Sequence, residues 1–185
     1  MKKENIYNVP NFLTFLRVLL TFLIIFFILV NYSLIWVIVF FIIAMITDAL
    51  DGFMAKRLDQ KTEFGRKFDM IADRFLFLGV LAIFLIKFWI NGFLTGNHIL
   101  QIIFISLREI IDIPFMLIIL YRRKELVPHT NWIGKSVTVM QAISFPILLL
   151  YILYPKIFSF SIYVSLLTAI IGVFASIRFI KDSLD

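Results

Sequence analysis

The chain has 185 residues, 62% of them hydrophobic, with 22 phenylalanines and a formal charge of +6. Soluble domains are about 45–50% apolar, so a single soluble core cannot take up this much apolar surface and an integral membrane protein is implied. Cysteine is absent, which excludes disulfides, thiolate metal sites and cysteine nucleophiles, and His98 and His129 are too far apart in sequence to suggest a histidine metal site.

A spanning helix needs roughly 20 mostly apolar residues. Six segments qualify, at about 10–31, 33–55, 67–91, 98–122, 132–153 and 157–179. The first follows a basic start, MKKEN, as a secretory leader does. Its apolar run is long, contains Arg17 and is followed by no small-residue cleavage site, so it is expected to remain as the first span. Pro114 and Pro146 fall inside the fourth and fifth segments and are expected to kink them. No Pro/Gly/Ser-rich linker interrupts the chain, so residues 1–185 read as a single all-α domain, a bundle of six transmembrane helices.

Lysine and arginine orient the bundle. Lys2, Lys3, Lys56, Arg57, Lys61, Arg66, Lys67, Arg122, Arg123, Lys124, Lys135, Arg178 and Lys181 fall on one side, against Lys87 and Lys156 near the other. Both termini are therefore expected in the cytoplasm, in agreement with an even number of spans. Little soluble surface is left for nucleic acid, and the basic balance is read as topology.

The end of the second segment and the start of the third read DALDGFMAKRLDQKTEFGRKFDMIAD. Asp48 and Asp51 are three apart and Asp69 and Asp73 four apart, so each pair shares a helix face. Gly52, Ala55 and Gly65 place small residues on the same faces. Antiparallel helices joined by a short loop bring all four acids to one depth near the cytoplasmic side. A lone Asp at the bilayer centre costs about 2.5–3.5 kcal/mol on insertion scales, and four together repel. Lys56, Arg57, Arg66, Lys67 and Arg74 are candidate salt-bridge partners, but cations that reach water do not require the acids to converge. A divalent ion does, and oxygen-only ligands suit Mg2+, Mn2+ or Ca2+. Two such ions suit in-line displacement at phosphorus. An acid-relay transporter is the alternative from another class; its acids usually lie at the midplane on broken helices.

The stretch resembles the signature of the CDP-alcohol phosphotransferase family, D-x2-D-G-x2-A-R-x8-G-x3-D-x3-D. Asp48, Asp51, Gly52, Ala55, Gly65, Asp69 and Asp73 stand at the family's offsets. Lys56 replaces the family's arginine, and Arg57 follows it. Lysine meets a diphosphate as a point charge, without the planar fork. The resemblance implies six transmembrane helices in the cytoplasmic membrane, usually as a homodimer. It also implies transfer of a phosphatidyl or related group from a CDP-linked lipid to an alcohol, with release of CMP. Asp48, Asp51, Asp69 and Asp73 are then expected to hold Mg2+ or Mn2+ in a two-metal site, with Asp73 also the general base. Asp48, Gly52, Ala55, Lys56, Gly65 and Asp69 are expected to form the CDP site.

Residues 8–17, NVPNFLTFLR, further resemble the opening of bacterial phosphatidylglycerophosphate synthases through Pro10, Asn11, Leu13, Thr14 and Arg17. Arg108-Glu109-Ile110 and Gly134-Lys135, followed by Thr138 and Gln141, extend that resemblance. Met70, Arg74 and Asp112 depart from it. It implies CDP-diacylglycerol as donor and glycerol 3-phosphate as acceptor. Inositol phosphate, phosphatidylglycerol, serine or an archaeal ether-lipid donor are the alternatives within the same chemistry. A phosphorylated acceptor needs cations, and Arg17, Arg108 and Lys135 are the candidates. Arg108 equally suits an ion pair with Asp112 one turn on, and Lys135 an ordinary topology role.

Overall fold

Asn8 starts the first helix, its side chain accepting the Asn11 N–H at 2.9 Å while Pro10 occupies the first turn. A proline there loses no hydrogen bond, and its fixed φ suits the helix. In the computed structural model, which describes residues 8–60, 62–92, 94–123 and 132–184, every regular element is helical. They are α1 (Val9–Leu29), α2 (Leu34–Arg57), α3 (Glu63–Arg74), α4 (Val80–Ile90), α5 (Gly96–Arg123), α6 (Trp132–Leu153) and α7 (Phe158–Leu184). A π-turn, Phe75–Gly79, joins α3 to α4, and a 3-10 turn, Pro155–Ile157, precedes α7. Lys2, Lys3, Lys61, Lys124 and His129 lie outside the described residues, as do the side chains of Arg122, Arg123 and Lys135.

The helices follow the six expected segments, with two differences. The third starts at Glu63 rather than near 67, because Thr62 caps it by accepting the Gly65 N–H at 2.9 Å. The loop between α2 and α3 shrinks accordingly to residues 58–62, and Asp59 turns it with φ at 50°, a conformation Asp tolerates. The third segment also contains the π-turn, though Arg74, Phe75, Gly79 and Val80 all keep right-handed helical dihedrals. Residues 63–90 thus run on as one rod, about 42 Å long at 1.5 Å per residue.

Four helical stretches are long and apolar enough to cross a membrane: Val9–Leu29, Leu34–Arg57, Ser136–Leu153 and Pro155–Lys181. The rod 63–90 carries a charged first half, and α5 carries Arg108, Glu109 and Asp112 within its length.

The chain divides near residue 93 into two compact units. In the first, α1 packs along α2 and also against α3, the π-turn and α4. On α1 the inward stripe is Asn11, Thr14, Arg17, Thr21, Ile24 and Ile28, while Phe12, Phe15, Leu19, Phe22 and Phe26 point outward. Arg17 is 0% exposed and Phe22 57%. Polar inside and apolar outside inverts the soluble pattern and is what a lipid solvent demands. The apolar floor beneath the polar stripe comes from Val37, Phe41, Leu76, Val80 and Phe84, all buried.

In the second unit α7 packs against both α5 and α6. Hydrogen bonds between helices tie it together. Gln141 of α6 donates to Glu109 Oε2 at 2.7 Å and to the Ile105 carbonyl at 3.1 Å on α5. Ser161 donates to Gln101, and Ser144 pairs with Thr168. Such bonds contribute about 0.6 kcal/mol each on average in membrane helices. Pro114 and Pro146 sit inside α5 and α6, and both helices continue past them.

Two outcomes test this packing. A Cβ on Gly65 would sit 2.4 Å from Asn11 Oδ1 and 2.8 Å from the capping Thr62 Oγ1. Gly65→Ala should therefore lower thermal stability in mild detergent, and Asn11→Ala in the same chain should recover part of the loss. Phe84→Ala, at a site 0% exposed, should cost about 3–5 kcal/mol, whereas Phe22→Ala should change detergent-phase stability by less than about 0.5 kcal/mol.

Candidate functional site

Asp48, Asp51, Asp69 and Asp73 converge in the first unit, and the group at their centre is Arg17. Its Nη2 lies 3.0 Å from Asp48 and also bonds Asp51; its Nη1 lies 2.9 Å from Asp69 and also bonds Asp73. One terminal nitrogen thus serves the two acids of α2 and the other the two acids of α3. Thr14, one turn before Arg17 on α1, donates to Asp51 Oδ2 at 3.1 Å. The Thr21 hydroxyl, one turn after, donates to the Arg17 carbonyl at 2.8 Å. Asn11, Thr14, Arg17 and Thr21 make a continuous polar stripe on α1, so the start of α1 is as much a wall of the site as α2 and α3.

The site is graded in depth. The Arg17 and Asp51 side chains are 0% and 5% exposed, while Asp69 and Asp73 keep 41% and 40% of their surface. Asp73 is therefore on the open side, where an incoming group can reach it. Carboxylate oxygens of Asp48, Asp51 and Asp69 lie within 4.8 Å of one another. At formal ionisation, four carboxylates against one guanidinium leave three negative charges within the cluster. Hard oxygen donors this close, with excess negative charge, fit Mg2+ or Mn2+.

A cavity of about 190 Å3 opens beside the acids, lined by Asn11, Thr14, Asp51, Gly52, Gly65 and Asp69 among others. The two glycines differ in kind. Gly65 has no room for a Cβ because Asn11 and Thr62 fill it. At Gly52 a Cβ would meet nothing within 4 Å, so packing does not require glycine there and the space belongs to the cavity. Ala55 and Arg66 also line it.

Two of the basic residues weighed as salt-bridge partners of the acids, Lys67 and Arg57, have other surroundings. Lys67 pairs with Glu63 at 3.1 Å, and the Arg57 guanidinium lies 5.9 Å over the Phe53 ring. The lysine hydrogen bond holds the exposed Glu63 carboxyl below its ordinary pKa. The shared ion-pair partner of the four acids among the described residues is Arg17, which lies 31 to 56 positions away in sequence. That arginine was visible in the sequence; its partners were not, since no local spacing links α1 to α2 and α3.

The other two candidate cations are in the second unit. Arg108 Nε pairs with Asp112 Oδ2 at 3.2 Å, the i,i+4 geometry. Asp112 is 3% exposed, and its other oxygen has no hydrogen-bond partner among the described residues. Gly172 of α7 backs onto Arg108, where an added Cβ would come within 3.3 Å of the Arg108 Cβ. Glu109, beside Arg108, is 7% exposed and held by Gln141. Lys135 lies in the first turn of α6.

Residues 7–175 match the CDP-alcohol phosphatidyltransferase family. Curated proteins named CDP-diacylglycerol--glycerol-3-phosphate 3-phosphatidyltransferase are similar. One from Pseudomonas fluorescens is 40% identical over 90 residues, covering 48% of this chain and 46% of that protein. One from Mycoplasma genitalium is 36% identical over 103 residues, covering 56% and 40%. One from Escherichia coli is 30% identical over 145 residues, covering 75% and 74%. The chain thus spans less than half the length of the first two relatives and about three quarters of the third. With a match that runs through both units and includes the four-aspartate signature, the chain belongs to the CDP-alcohol phosphatidyltransferase family.

Proposed function

We propose that this protein transfers a phosphatidyl group from CDP-diacylglycerol to glycerol 3-phosphate, giving phosphatidylglycerophosphate and CMP. The observation that carries the reading is the meeting of Asp48, Asp51, Asp69 and Asp73 beside an open cavity with Gly52 on its wall. The relatives' names support this donor and acceptor. The sequence resemblance at residues 8–17, 108–110 and 134–141 supports the same acceptor.

In this reading Asp48, Asp51, Asp69 and Asp73 hold a pair of Mg2+ or Mn2+ ions. The chemistry these supply when bound is neutralisation of the donor diphosphate and of the departing CMP. Asp73, 40% exposed, takes the proton from the acceptor hydroxyl as the oxygen attacks phosphorus. Gly52 and Ala55 leave space for the nucleotide to approach the α2 backbone. Asp48, Lys56, Gly65 and Asp69 complete the CDP site. Of the cations suggested for the acceptor phosphate, Arg17 stands within the acid cluster, while the assignment of Arg108 and Lys135 rests on the sequence resemblance alone. We further assign six spans, both termini and the acids to the cytoplasmic side of the cell membrane, and a homodimer, on the lysine and arginine distribution and the family's habit.

The test is CMP release from CDP-diacylglycerol by the purified protein in detergent with Mg2+. Glycerol 3-phosphate, inositol phosphate, phosphatidylglycerol and serine are supplied separately. Release with glycerol 3-phosphate, abolished by EDTA, is the expected result; release with another acceptor alone overturns the acceptor assignment. Asp73→Asn should lower turnover by at least the 10²–10⁴-fold typical of a lost general base. Binding of the CDP donor should survive the same change. Retained turnover with lost binding would contradict the role given to Asp73.

A further inference from the structure

We infer that Arg17 is a built-in counter-cation of the four-carboxylate site, one that offsets part of the acids' charge and competes with divalent ions for them. This rests on the divalent-metal reading above.

Three observations carry it. The first is geometric. Arg17 does not pair with one acid but divides its fork between two helices, Nη2 to Asp48 and Asp51 of α2 and Nη1 to Asp69 and Asp73 of α3. It therefore ties α2 to α3 through α1. The second is burial. The side chain is 0% exposed, and its Nε has no hydrogen-bond partner among the described residues. A guanidinium in that position has no water to replace its carboxylates, so it holds to them. The third is overlap. Asp48, Asp51 and Asp69 are the residues whose oxygens cluster tightly enough for an ion, and each already faces an Arg17 nitrogen. A carboxylate oxygen bound to an ion at about 2.0–2.1 Å cannot also meet an N–H of a neighbouring cation at full strength, and the two positive centres repel.

Binding of the ion and pairing of Arg17 are therefore linked with opposite sign, and the linkage is reciprocal. The acids sit on α2 and α3, each of which packs against α1, so the helices that carry them stay together on loss of the guanidinium. Removing the competing charge is then the larger effect on metal affinity, while stability without metal falls because the four carboxylates repel unshielded.

Mn2+ binding tests this on the full chain in detergent. Free Mn2+ is followed by electron paramagnetic resonance for the wild type, Arg17→Gln and Arg17→Lys, and each protein is also melted without metal. Arg17→Gln should bind Mn2+ about tenfold more tightly than wild type and melt at a lower temperature without metal. Saturating Mn2+ should close most of that gap. Arg17→Lys keeps the charge but loses the fork, so it should fall between the two, and it carries the comparison if the glutamine variant does not fold. Affinity unchanged or weakened in the variants overturns the competition. A wild-type protein that binds no Mn2+ overturns the metal reading instead.

Discussion

Everything in the first unit is arranged around one guanidinium and four carboxylates. Arg17 reaches Asp48 and Asp51 with one nitrogen and Asp69 and Asp73 with the other, in a place with no solvent access of its own. Charges in such surroundings are costly unless each has a partner. That constraint explains why α1 turns its polar stripe inward and its phenylalanines outward. It also explains why Thr14 and Thr21 flank Arg17, one binding Asp51 and the other the arginine's own carbonyl. The excess of carboxylate over guanidinium is what prepares the cluster for further positive charge.

The scaffold keeps these groups in place by packing rather than by loops. The acids of α2 and α3 lie on either side of a connection of only five residues, 58–62, closed by the Thr62 cap. Beyond the acids the chain enters the π-turn at Phe75–Gly79. A π-turn takes one more residue per hydrogen bond than an α-turn, and single ones often stand at functional sites. Here it lies between the half of the rod that carries Asp69 and Asp73 and the half that buries Val80, Leu81 and Phe84. The second unit uses a different device, side-chain hydrogen bonds in which Gln101 and Glu109 on α5 accept from Ser161 on α7 and Gln141 on α6.

Much of this was legible in the sequence. Apolar runs of about 20 residues marked the helices. Spacings of three and four put each pair of aspartates on one face, and the structure brings the four together. What was not legible was tertiary. Charged residues near the acids in sequence, such as Arg57 and Lys67, were candidates for their partners. They instead meet Phe53 and Glu63, while the partner comes from another helix. Gly65 looked like room between α2 and α3, and its closest neighbour is Asn11 of α1. The π-turn left no mark, since FLFLG has no residue type that distinguishes five residues per hydrogen bond from four.

The most direct test of the central arrangement is a structure of the protein crystallised with Mn2+, with anomalous scattering recorded at the manganese edge. The expected result is manganese bound to oxygens of Asp48, Asp51 and Asp69, with Arg17 displaced from at least one of the carboxylates it holds. Manganese located away from these aspartates, or Arg17 still bonded to all four beside a bound ion, would contradict it.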